Sequence, residues 1–180
     1  ISYLPFSTLG GIDTRKLEVD NGRVSGVILE ENSQYLVDYD SDMLNPTVYV
    51  FNAKIAETTS GVTTYGPVCH AAFKIDLENS VTFREHFSLA EVAFDENMMR
   101  KDFGICKCEG LVFQVYGTQV ANNKDTDEIY YFDFESSENY KLEIKGEKPE
   151  ILPRHGVTVC AFQRGGTYYL YVFGGQVQND

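Results

Sequence analysis

The chain has 180 residues and a formal net charge of −12, with 27 acidic side chains against 15 basic ones. That is enough chain for one ordinary domain or two small ones, and a hydrophobic fraction of 43% excludes a disordered chain. Acidic charge is spread over both halves, −7 in residues 1–94 and −5 in residues 95–180. This argues against tight non-specific nucleic-acid binding, which is mainly an attraction of Lys and Arg to phosphate.

The opening "ISYLPFSTLGGIDTRKLEVDN", residues 1–21, lacks the basic start and long apolar middle of a signal peptide. It reads as an N-terminal extension that adds a strand or packs across the first folded unit. With no initiator Met, the chain is expected to be a piece of a longer protein. No apolar run reaches membrane-spanning length, and nothing marks secretion. The four cysteines therefore read as reduced, and the protein as intracellular, cytoplasmic or nuclear.

Strand candidates then come in two sets of five. The first is "GRVSGVILEE", "SQYLVDYD", "TVYVFNAKI", "GPVCHAAFKID" and "FREHFSLAEVAF"; the second is "FGICKCE", "LVFQVYGTQ", "EIYYFDFES", "HGVTVCAFQR" and "TYYLYVFGGQV". Turn-formers such as "DSDMLNP", "ETTSG", "NNKDTD" and "RGG" separate them. The sets share an order: Phe51 and Phe132 lie 81 positions apart, Phe73 and Phe162 lie 89 apart, as in a diverged internal duplication. Five short strands per unit suit a small closed barrel, which leaves no sheet edge exposed. The organisation expected is an extension over 1–21, a barrel over 22–94, a linker over 95–102 and a second barrel over 103–180. Between them, "SLAEVAFDENMMRK" mixes a capping-box pattern (Ser88 with Glu91) with strand alternation. It divides as strand to about Phe94, then a linker with one helical turn.

Alternation along "TVYVFNAKI" puts Tyr49 and Phe51 on one face and Val48 and Val50 on the other. In "EIYYFDFES", Tyr130 and Phe132 share a face opposite Ile129 and Tyr131. If one face of each strand fills a barrel, Tyr49, Phe51, Tyr130 and Phe132 form an aromatic outer surface able to stack on a ligand. Arg23 and Lys54 are the candidate nucleic-acid contacts beside it.

Residues 22–94 resemble a cold-shock domain, a five-stranded barrel of the OB class. The resemblance rests on "GRVSGVILEENSQYLV", on "VYVFNA" and on Ala90-Glu91-Val92; residues 103–178 echo it through "FGICKCE" and "DEIYYFDF". It implies single-stranded RNA binding by stacking. Gln34 and Leu36, however, stand where the family places second-strand rings, and Gly26 stands near its usual Trp. With that platform reduced and no basic rim, the module is expected to serve as a protein-interaction scaffold in an RNA-regulatory protein, with weak RNA binding as the alternative. A second resemblance is to kelch repeats, in "LPRHGVTVCAFQRGGTYYLYVFGG" and "EIYYFDFESSENYKLE". It implies β-propeller blades of about 50 residues and a kelch-type protein-interaction scaffold.

No GxSxG, HExxH, Walker A or GxGxxG motif occurs, so no enzyme is expected. Cys106 and Cys108 would share a strand face and could form half a zinc site with Cys69, His70 or Cys160, but without a CxxC they read as core thiols. Asp38, Asp40 and Asp42 have calcium-loop spacing. Met43 and Tyr49 stand where such a loop needs Gly and Glu, which leaves a solvated acidic turn. Cys69 and His70 are adjacent on a strand and point apart, and His155 with Cys160 is the remaining thiol–imidazole candidate. No metal and no cofactor are expected.

Overall fold

The structure is a computed structural model that describes residues 19–20, 23–39, 46–76, 81–83, 98–134, 136, 138–143 and 152–178. Its strands are Val19–Asp20 (β1), Arg23–Asp38 (β2), Thr47–Thr59 (β3), Val62–Asp76 (β4), Val81–Phe83 (β5), Arg100–Lys101 (β6), Gly104–Cys108 (β7), Leu111–Val115 (β8), Thr118–Gln119 (β9), Ile129–Asp133 (β10), Glu138–Lys141 (β11), His155–Arg164 (β12) and Thr167–Gln176 (β13). The protein is all-β. Among the described residues the sheets are open: β1 to β5 pair in sequence order, β11-β10-β8-β7 form a second sheet, and β12–β13 and β6–β9 are two-stranded. No barrel closes among them. The expected helical turn falls mostly on residues outside those described, as does much of the 1–21 extension.

The long hairpins of the first sheet follow from their composition. β3 is rich in Val, Thr, Tyr and Phe, which suit a pleated, half-buried surface. Ser60 and Gly61, with φ of 53° and 80°, make the two-residue turn that matches strand twist and sends the chain back into β4. Between Leu29 and Gln34 the pairing of β2 with β3 shifts register. Asn52 sits opposite the bulge at φ 56°, a left-handed conformation that Asn tolerates better than most residues. Its amide donates to Asn32 O at 2.9 Å, and Ser33 Oγ donates to Asn52 O at 2.6 Å, so the extra residues of β2 are held in place.

The β11-β10-β8-β7 sheet lies between two other layers. One face packs against the first sheet, where Tyr49, Phe51, Ala72, Met98, Phe103, Val112, Phe132 and Phe134 form one core. Phe51 and Phe132, expected at equivalent places of a duplication, meet there with ring centroids 5.2 Å apart. Met98 and Arg100, from the segment expected as a linker, are buried as well. Gln34 receives the Phe103 N–H and donates to Phe103 O, both at 3.1 Å, and Lys107 pairs with Asp38 at 2.5 Å. The other face carries Cys106, Cys108, Phe113, Val115 and Ile129 and is covered by Val157, Val159, Ala161, Leu170 and Val172 of β12–β13.

The two hairpins β7–β8 and β12–β13 repeat one backbone plan. A left-handed residue stands near the start of the first arm (Asp102, φ 53°, two residues before β7; Gly156, φ 65°, the second residue of β12), another stands in the turn (Glu109, 53°; Gly165, 58°), and a left-handed pair stands near the end of the second arm (Tyr116-Gly117, 60° and 98°, just after β8; Gly174-Gly175, 66° and 87°, within the end of β13). The intervals are seven residues in the first hairpin (102 to 109 to 116) and nine in the second (156 to 165 to 174). Backbone bonds join the two bases: Gly117 N donates to Arg154 O at 2.9 Å and Gly156 N to Asp102 O at 2.7 Å. Beside them the Asp125 carboxylate accepts from Thr118 Oγ1 at 2.8 Å and Gln178 N at 3.0 Å and pairs with His155 Nδ1 at 2.9 Å. Burial alone would raise this carboxyl, but the bonds from His155, Thr118 and the Gln178 amide outweigh it and hold Asp125 below the usual carboxylate range.

The hairpins approach most closely at Gly104, where an added Cβ would lie 2.1 Å from Val159 Cγ2 and 2.9 Å from Val157 Cγ2. Gly104→Ala is therefore expected to lower stability by about 1–3 kcal/mol through overpacking, read as a lower urea midpoint. Combining it with Val159→Ala should cost less than the two single changes added together. Strict additivity would show that the layers do not meet here.

Candidate functional site

Three of the four rings expected on an outer face lie in the interior. Tyr49, Phe51 and Phe132 are 7%, 0% and 3% exposed, and Tyr130 is half-buried against the same core. The pairing of faces read from alternation holds. Which face points outward does not, because both faces of β3 and of β10 are covered: Val48 and Val50 are buried too, and Ile129 belongs to the second core. Lys54 is half-buried in β3. Arg23 begins β2, paired with Thr59, and its side chain lies outside the described residues, as do Asp40 and Asp42.

What gathers around these rings is a buried polar group. Arg100 is fully buried. Its guanidinium donates to Glu128 O at 2.9 Å, Glu128 Oε2 at 2.6 Å and Tyr116 O at 3.3 Å, and lies 4.7 Å from the Tyr130 ring centroid. Burial lowers its proton affinity, and Glu128 opposes that. Glu128 also pairs with Lys141. Asn52 Nδ2 donates to Arg100 O at 2.6 Å, and Asn52 N donates to His70 Nδ1 at 3.3 Å. The His70 ring rests against both Phe51 and Phe132, with centroids 4.5 and 4.7 Å away. Its environment pushes its pKa down from 6.5 to about 3, chiefly by desolvation. The residue as a whole keeps some exposure, but the ring is what titrates. A neutral imidazole that already accepts a backbone N–H cannot act as a general base at Nδ1.

None of the four cysteines is in a disulfide. Cys106 and Cys108 do share one buried face of β7. Burial pushes the Cys106 thiol up to about 12 and raises Cys108 as well, which makes both poor nucleophiles. Cys160 lies on the face of β12 opposite to His155, which is engaged with Asp125, so the structure does not bring that pair together. Among the described residues no three His, Cys, Asp or Glu side chains gather closely enough to hold an ion, and no helix is long and apolar enough to cross a membrane.

The exposed aromatic surface stands elsewhere, on the outer face of β12–β13. Phe162, Tyr169, Tyr171 and Phe173 are 41 to 56% exposed. They form a continuous ladder: Phe162 stacks on Tyr169 (5.1 Å, 15°) and on Tyr171 (5.5 Å, 20°), and Tyr171 on Phe173 (6.4 Å, 16°). Cross-strand pairing of Phe162 with Tyr169 and of Cys160 with Tyr171 builds this face, while Leu170 and Val172 point into the core. Residues 152–178 carry Arg154, His155 and Arg164 but no Asp or Glu, a non-acidic island in an acidic chain. The signal was present in "TYYLYVF", whose alternation puts Tyr169, Tyr171 and Phe173 on one side. The third strand of each expected barrel carries the same ring alternation, so the pattern alone does not single out β13.

Comparison with protein-family models gives no match, and comparison with curated proteins gives none.

The buried imidazole sets a pH dependence. The unfolded chain binds a proton on His70 as pH falls below about 6.5, whereas the folded chain resists until about 3. The contribution of His70 to stability is thus complete above 6.5 and declines as pH falls, by up to about 1.4 kcal/mol per pH unit. His70→Gln should flatten unfolding free energy against pH between 6.5 and 5, above the range where carboxylates titrate. Parallel profiles for the two proteins, measured by urea titration at each pH, would refute the neutral, buried state.

Proposed function

We propose that this chain is a non-catalytic protein-interaction scaffold built from stacked β-hairpin units of the kelch type, and that the aromatic face of β12–β13 is its binding surface. The observation that carries the reading is the repeat. In the first hairpin the face bearing Cys106, Phe113 and Val115 is covered by the second hairpin. In the second hairpin the corresponding face, counted from the turn, bears Phe162, Tyr169 and Tyr171 and stands exposed. A contiguous exposed patch of large rings is unusual on a surface that meets only water, and aromatic residues are the side chains that most often anchor protein interfaces. The four cysteines, none of them in a disulfide, support an intracellular setting. The raised Cys106 thiol and the neutral His70 support a role without catalysis.

The same rings could stack on single-stranded RNA, which is the alternative that the cold-shock resemblance implies. The net charge of −12 weighs against it, because phosphate binding needs a basic rim.

Tyr169→Ala with Tyr171→Ala should leave the urea midpoint nearly unchanged, as exposed substitutions do. It should weaken an RNase-resistant protein partner by about 2 kcal/mol or more, roughly thirtyfold. Anisotropy titration with labelled oligouridine should give affinity weaker than about micromolar at physiological salt. Tight oligouridine binding that falls steeply with salt and is abolished by the double change would replace the scaffold reading with the RNA one.

A further inference from the structure

The edge of β13 leads beyond the scaffold reading, which concerns its face. In the middle sheet β8 has β7 on one side and β10 on the other, so both of its backbone edges are bonded. The repeated backbone plan makes β13 the counterpart of β8 and β12 the counterpart of β7. Among the described residues β13 pairs with β12 and with no other strand. Its regular outer edge runs for seven residues, 167–173, up to the left-handed Gly174-Gly175 pair, and contains no charged residue and no proline. Edges that stay in water are commonly guarded by charge, proline or short length. The end strand of the middle sheet is guarded in this way: β11 spans only Glu138–Lys141 and carries a charge at each end.

We infer that β13 pairs antiparallel with β13 of a second copy across a twofold axis, giving a continuous four-stranded sheet in place of two. Two observations favour a second copy over an unrelated strand. The strand that fills the corresponding edge of β8 reads Ile129-Tyr130-Tyr131-Phe132, and β13 reads Tyr168-Tyr169-Leu170-Tyr171; β13 is of the same kind as the strand its own edge calls for. The hairpin also lacks acidic residues, so two copies can meet here without opposing like carboxylates, although the chains are acidic elsewhere. Antiparallel pairing of one strand with itself satisfies the self-complementarity that a twofold interface requires, and every added contact includes backbone N–H and C=O groups. Tyr169, Tyr171 and Phe173 of both copies would then share one face, doubling the ring ladder.

Sedimentation of the purified chain should show the weight-average mass rising from 20.3 kDa towards twice that value as concentration increases to roughly 100 µM. Hydrogen exchange over 167–176 should slow with the same concentration dependence. Tyr171→Lys and Tyr171→Glu, on an exposed side chain, should each weaken self-association tenfold or more while leaving the urea midpoint measured at low concentration nearly unchanged, and mixing the two variants should restore it. A chain that stays monomeric up to that concentration overturns the inference. So does a dimer whose β13 amides exchange as fast as in the monomer, which would mean packing through a face or another surface. A monomer that still loses its protein partner on Tyr169→Ala with Tyr171→Ala refutes the dimer alone and leaves the scaffold reading standing.

Discussion

The Arg100 guanidinium is the constraint on which the other parts of the interior depend. A charge with no exposed surface is tolerated only when paired and hydrogen-bonded, and removing one partner of such a pair costs about 3–5 kcal/mol. Arg100 meets that demand by drawing together parts distant in sequence: the end of β8 through Tyr116 O and the start of β10 through both the backbone and side chain of Glu128. Its own carbonyl is held by Asn52 at the β2 bulge. The ring of Tyr130 closes one side. Apolar packing of Phe51, Phe103 and Phe132 fills the space around this polar centre but has little directional preference of its own. The hydrogen bonds of Arg100 and Asn52 therefore define how the first sheet sits on the second.

Much of the strand content was legible because it depends on local pattern. The stretches around β3, β7, β8, β10, β12 and β13 read as strands from β-branched and aromatic alternation, and the pairing of Tyr130 with Phe132 on one face, and of Cys106 with Cys108, follows from the period of two. Which face meets solvent was not legible. Alternation is blind to what lies above and below a strand, and a strand buried on both faces loses the polar row that would mark its outside. Thus Tyr49, Phe51 and Phe132 carried the same pattern as true surface rings. Arg100 was hidden for a related reason: a lone arginine in "MMRKD" looks like solvated charge, and only the distant Glu128 and Asn52 make its burial tolerable.

The repeat shows the same division. The turn residues "RGG" marked the second hairpin, but the equivalence of the two hairpins lies in backbone sign: Asp102 matches Gly156 and Tyr116 matches Gly174. Non-glycine residues in the left-handed region disguise it, and the two-residue difference in arm length defeats a fixed period. The 81-residue spacing of Phe51 and Phe132 was more conspicuous in sequence and joins two rings that touch.

Gly104 has one more consequence. Five positions before the turn of the first hairpin, the missing side chain lets the methyl groups of Val157 and Val159 come almost to the backbone. Five positions before the turn of the second hairpin stands Cys160, flanked by rings rather than by Val and Cys. A layer laid on that face would rest on sulfur and aromatic edges and stand farther from the backbone than β12–β13 stands from β7. The close spacing that Gly104 permits is therefore not repeated on this face. The outer face of β12–β13 is a change of gauge, fitted to a neighbour of a different shape.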